Sequence, residues 1–163
     1  MTVKITIAGR DGINFNKEYK AFFDGFAPSG SPLFLGPNDS ETTQIVHLDT
    51  PAKGKESDAR AVLLDGDDFL YTFSNHTVSG EIDKVSLVRL GNAYDDDTGD
   101  LDLNGGVVTT ATRFITFTGL DIENAPGVPG PVHGIVGGLM GGGPSGTAAD
   151  PTARGRPARV PSD

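Results

Sequence analysis

Residues 68–90 read Asp68-Phe-Leu-Tyr-Thr-Phe-Ser-Asn-His-Thr-Val-Ser-Gly-Glu-Ile-Asp-Lys-Val-Ser-Leu-Val-Arg-Leu90. Two apolar, β-branched runs flank an irregular Ser-Asn-His step, which predicts a strand, a turn and a second strand. The same segment sets Tyr71 five residues before His76, which falls in that irregular step.

Outward from that hairpin the pattern stays readable. Val3, Ile5 and Ile7 alternate with polar residues, as in a half-buried strand. Asn16 offers an N-cap for a short helix, on which Tyr19, Phe22, Phe23 and Phe26 share one face. Residues 27–41, rich in Pro, Gly and Ser, suit a long loop. Short apolar runs at 44–48, 61–64 and 69–73 read as strands, with a longer alternating stretch at 77–90. Residues 91–106 are acidic and turn-like, and 107–118 are rich in β-branched residues. Pro131 opens a second helix whose residues Val132, Ile135, Val136, Leu139 and Met140 form an apolar stripe. Gly134, Gly137 and Gly138 weaken that helix by roughly 1 kcal/mol each relative to alanine, so either something lies close against it or the helix is marginal. Residues 143–163 are Gly, Pro, Ala and Arg with almost no large apolar side chain, and are expected to be a disordered tail after a domain spanning 1–142.

Composition narrows the function. The chain has 163 residues and a formal net charge of -9, which argues against nucleic acid or an anionic membrane as a partner. Zero cysteines exclude disulfides, thiolate metal sites and covalent c-type haem attachment. No apolar run approaches the roughly 18 to 20 residues of a membrane span. The amino terminus alternates like a strand and has no signal-peptide pattern, so export would proceed without an N-terminal signal peptide. There is no nucleophile elbow, no zinc-protease motif, no phosphate loop and no dinucleotide fingerprint, which argues against an enzyme.

A phenol and an imidazole that can meet form a compact kit for holding the ferric iron of haem. Taken singly, Tyr71 reads more simply as a rim tyrosine beside Phe69 and Phe73, and His76 as a turn residue. His133 lies on the helical face shared by Gly137 and Met140, where it either packs the helix or lines a ligand site. His47 reads as an ordinary strand residue.

Three segments, in order, carry a resemblance. Leu70 to Gly91, with its Tyr-Thr-Phe-Ser-Asn-His-Thr-Val core, is similar to the central region of bacterial secreted haem-binding hemophores, the HasA family. Phe114-Ile-Thr-Phe-Thr-Gly-Leu-Asp-Ile122 resembles that family's late strand, and Val132-His-Gly-Ile-Val-Gly-Gly-Leu-Met140 resembles its Val-His to Gly-Leu-Met helix. The resemblance implies an α+β fold, with one curved antiparallel sheet and helices packed on one face. It implies a monomer that binds ferric haem b, with Tyr71 as iron ligand, His76 hydrogen-bonded to the phenolate, and His133 and Met140 in the pocket. It also implies secretion by a type I route and delivery of haem to an outer-membrane receptor. A free phenol ionises only near about pH 10, so ferric charge and an imidazole donor would both help it. Protonation of His76 as pH falls would weaken the pair and release haem.

This chain departs from the family pattern in three places. The Tyr71–His76 interval is shorter, and Gly137 stands where relatives carry an aromatic residue. The early loop, 27–41, has no histidine, which leaves ligation by Tyr71 alone or with a ligand from elsewhere such as His47. Asp100-Leu-Asp-Leu-Asn-Gly105 matches the first half of a calcium loop, yet Ala111 occupies the place of its bidentate glutamate. A solvated turn is the simpler reading there. The alternative from another class is a haem-free β-rich surface module, calcium-stabilised, in a type I-exported protein.

Overall fold

The structure is a computed structural model that describes residues 2–8 and 14–141. The expected tail, 143–163, lies outside the described residues. Strand β1 (Lys4–Ile7) precedes helix α1 (Phe15–Phe23), then β2 (Leu33–Leu35), β3 (Gln44–Leu48), β4 (Arg60–Thr72) and β5 (Thr77–Arg89). The two-residue strands β6 (Tyr94–Asp95) and β7 (Asp100–Leu101) follow, then β8 (Thr112–Thr118), β9 (Ile122–Asn124) and α2 (Pro131–Met140). The fold is α+β, with seven strands in one antiparallel sheet ordered β1-β8-β5-β4-β3-β2; β9 pairs the first half of β5.

The β4–β5 hairpin is the spine. Its register runs from Arg60↔Arg89 to Thr72↔Thr77, with irregularities at Asp65/Gly66 and between Asp67 and Leu70. The runs at 61–64 and 69–73 are therefore one strand interrupted by bulges, a correction to the two separate strands expected. Bulges re-aim the chain without ending the ladder.

Two-residue alternation divides the core. Ile45, Val62, Leu64, Ile82, Leu87 and Ile115 pack with Phe22, Phe26, Val132, Val136 and Leu139, so both helices cover the same sheet face. Val46, Ala61, Leu63 and Val88 form a second cluster with Leu90, Ala93 and Val108. Burial on both faces explains why the central strands read as nearly continuous apolar runs.

Local expectations are corrected in three places. Helix α1 is capped by Asn14, whose Oδ1 accepts from Lys17 N–H at 3.1 Å, and Asn16 lies inside the helix. The earlier start lets Phe15 stack on Tyr19 at 5.5 Å and meet Phe117 edge-on at 6.1 Å. Phe26 lies past the helix end and reaches the core from the following turn. The expected loop 27–41 contains β2, which pairs with β3. Arg60 holds the α1 end to the sheet: it pairs with Asp49 at 2.8 Å and donates to the carbonyls of Phe22 and Asp24 at 2.5 and 2.7 Å.

The α2 glycines divide in the same way. Gly137 and Gly138 are buried, but nothing lies within 4 Å of a Cβ added at Gly134. Gly134→Ala should stabilise the protein by about 0.5–1 kcal/mol through backbone entropy, read as a higher urea midpoint. A lowered midpoint would mean the position is not open.

Candidate functional site

The sheet and α2 converge where the β4–β5 hairpin turns. Tyr71 lies next to the last residue of β4, and His76 immediately precedes β5. The connection is tight, and His76 takes a left-handed backbone, φ 56°. Such a conformation is uncommon for a residue with a side chain and needs outside support. Neighbours supply it: Asn75 donates to the Gly127 carbonyl at 2.7 Å, and Thr77 Oγ1 donates to Asn75 Oδ1 at 2.8 Å. With the turn held, Tyr71 Oη and His76 Nδ1 stand 2.5 Å apart. The short interval therefore does not keep the two side chains apart.

Opposite this pair lies one face of α2. Tyr71, His76, Val78, His133, Val136, Gly137, Met140 and Gly141 line a cleft of about 500 Å³. The four residues singled out from sequence, Tyr71, His76, His133 and Met140, all contribute to it. His133 is buried, and its Nδ1 accepts from Val78 N–H at 3.2 Å, so the neutral ring carries its proton on Nε2. Gly137 and Gly141 present bare backbone to the cleft. Phe73, 79% exposed, stands edge-on to Tyr71 at 4.9 Å, and Met140 is 51% exposed, so the mouth is apolar.

His47, the other histidine considered as a ligand, is elsewhere. It is 2% exposed within β3 and does not line the cleft. Burial pushes its imidazole down to about 4. Val78 and Gly141 were not singled out from sequence. Val78 carries no chemical signal of its own, and Gly141 follows the helix as any C-terminal glycine does.

Two other hollows are acidic. The larger, about 750 Å³, is walled by Glu41, Asp67, Asp68, Glu81 and Glu123, which would repel a ligand carrying carboxylates. The second, about 380 Å³, is lined by Asp95, Asp96, Asp97 and Asp102 with Asn92 and Tyr94. There Asp95 Oδ1 accepts from the Asp97 and Thr98 backbone amides, as in an ordinary turn. Among the described residues no three His, Cys, Asp or Glu side chains converge as a metal site.

No family model matches the chain, and no curated protein matches it significantly. Solved structures do. The apo hemophore HasA from Yersinia pestis aligns over 94% of this chain and 88% of its own, at 22% identity and TM-score 0.59. The holo hemophore HasA from Yersinia pestis aligns over 94% and 90%, at 20% identity and TM-score 0.60. A HasA mutant monomer from Yersinia pseudotuberculosis aligns over 94% and 90%, at 19% identity and TM-score 0.61. The fold is HasA-like.

Proposed function

We propose that this protein is an extracellular haem carrier that takes ferric haem b into the cleft through Tyr71 and delivers it to an outer-membrane receptor. The observation that carries this reading is the 2.5 Å contact between Tyr71 Oη and His76 Nδ1 at the mouth of an apolar cleft. The likeness of the fold to hemophores, one of them in its holo form, supports it.

Haem, when bound, supplies a ferric centre suited to a hard anionic oxygen donor. Tyr71 offers that oxygen as a phenolate, and His76 Nδ1–H would donate to it, holding the ring in place and favouring its ionised form. Val78, Val136 and Met140 exclude water, and Gly137 and Gly141 allow a flat ligand to approach the helix backbone. His133 accepts from Val78 N–H and forms wall, and His47 is buried outside the cleft, so Tyr71 would be the residue that holds the iron in this reading. The protein then acts by affinity, as a secreted monomer, without catalysing a reaction.

Titration with hemin should give a saturable Soret band and a charge-transfer band of tyrosinate character. Tyr71→Ala should lose the charge-transfer band and bind hemin about tenfold or more weakly, with its circular dichroism unchanged. Identical spectra from the native protein and Tyr71→Ala would overturn the assignment.

A further inference from the structure

Helix α2 forms one wall of the cleft, yet its N-cap residue, Gly130, has no side chain with which to satisfy the first turn. The opening amides of a helix have no partner within it. Here the acceptor comes from β9. Asn124 Oδ1 accepts from Val132 N–H at 2.9 Å and His133 N–H at 3.4 Å. The same carboxamide uses Nδ2 to donate to the carbonyls of Val78 at 3.0 Å and Val128 at 2.8 Å. The partners determine which end is oxygen, because backbone amides only donate and carbonyls only accept.

One side chain therefore joins β5, the 125–130 connection and the start of α2. Val78 is held on both sides, by Asn124 at its carbonyl and by His133 at its N–H. Gly130 is part of this arrangement, since a Cβ there would lie 2.5 Å from Asn124 Cβ and 2.8 Å from its Cγ. The hairpin tip joins the same connection through Asn75 and the Gly127 carbonyl.

From this network we infer that Asn124 is a positioning residue for the cleft, setting the distance between the Tyr71–His76 tip and the His133–Met140 face of α2. Asn124 does not line the cleft; it acts through Val78 and the first turn of the helix. The ligand consequence rests on the haem reading, whereas the placement of α2 does not.

Hydrogen exchange followed by NMR on the whole unliganded chain tests the placement, with hemin titration alongside. The probe is Val78 N–H, which bonds to His133 and not to Asn124; Leu63 N–H in β4 serves as the reference for global opening. Asn124→Ala should speed Val78 exchange about tenfold relative to Leu63 and weaken hemin binding about tenfold, with the tyrosinate band retained. Asn124→Asp keeps an acceptor for the two helix amides but loses both bonds that Nδ2 donates, so it should restore only part of the Val78 protection. Unchanged Val78 exchange in Asn124→Ala overturns the inference, as does faster exchange with undiminished hemin affinity. If the native protein takes up no hemin, the haem reading falls and Val78 exchange alone decides this one. Should Asn124→Ala not fold, Gly130→Ala, which crowds Asn124, must speed Val78 exchange in the same direction, and unchanged exchange there overturns the inference.

Discussion

Lowering the pH from above 6.5 to about 4 should cost this protein roughly 3 kcal/mol of folding stability through His47 alone. The ring sits in β3 at 2% exposure, and Nε2 has no hydrogen-bond partner among the described residues. Burial disfavours the charged imidazole, so the folded chain binds its proton only near 4, against 6.5 for the ordinary side chain. The sign follows from linkage. Above 6.5 both states are neutral at this site and the stability is fully present. As pH falls, the unfolded chain gains a proton that the folded one refuses, and the loss levels off below about 4. Carboxylates titrate over part of the same range, so the measurement is a double difference. Urea unfolding of the native protein and of His47→Leu at pH 7 and pH 4.5 should show a smaller acid loss in the variant. Equal losses in the two proteins would remove His47 as the cause.

Gly66→Ala should be as damaging, for a steric reason. Gly66 lies at the irregularity where β4 shifts its register on β5, and its N–H donates to the Thr43 carbonyl at 2.9 Å. An added Cβ would overlap the Glu81 carbonyl oxygen and stand 2.8 Å from the carbonyl carbon and 3.2 Å from Ile82 Cα. These are backbone atoms of the central hairpin and cannot rotate aside. Overpacking of this kind should cost about 3 kcal/mol or more, a fall in Tm of roughly 10 °C for a chain of this size. Thermal unfolding followed by circular dichroism reads it directly. A Tm within about 2 °C of the native value would show that the ladder yields at this point. The contrast with Gly134→Ala, expected to stabilise, separates open from crowded glycines in one protein.

Much of the fold was legible because it rests on short-range periodicity. Alternation in 77–90 and the β-branched run 107–118 marked strands, the second of which begins only at Thr112, and the spacing of Val132, Val136 and Leu139 marked the buried face of α2. The same helical spacing grouped His133, Gly137 and Met140, and the structure places them together in the cleft. The start of α1 was less legible. Asn14 and Asn16 are equally good caps by type, and the packing of Phe15 against Phe117, far along the chain, favours the first. Strand β2 was hidden among Pro, Gly and Ser residues because its pairing with β3, not its composition, makes it a strand.

By itself the sequence determined the types of most elements, the central hairpin and the presence of Tyr71 and His76 beside its turn. Hydrophobic period and turn chemistry are properties of neighbouring residues. Only the tertiary structure decided that β4 is one bulged strand, that His47 is buried away from the cleft, and that Tyr71 and His76 come within 2.5 Å. It alone brought Asn124 onto Val78, 46 residues away, and onto the first turn of α2. Those outcomes depend on hydrogen bonds and packing between distant segments, and no local pattern records which distant partner will satisfy a buried amide or carbonyl.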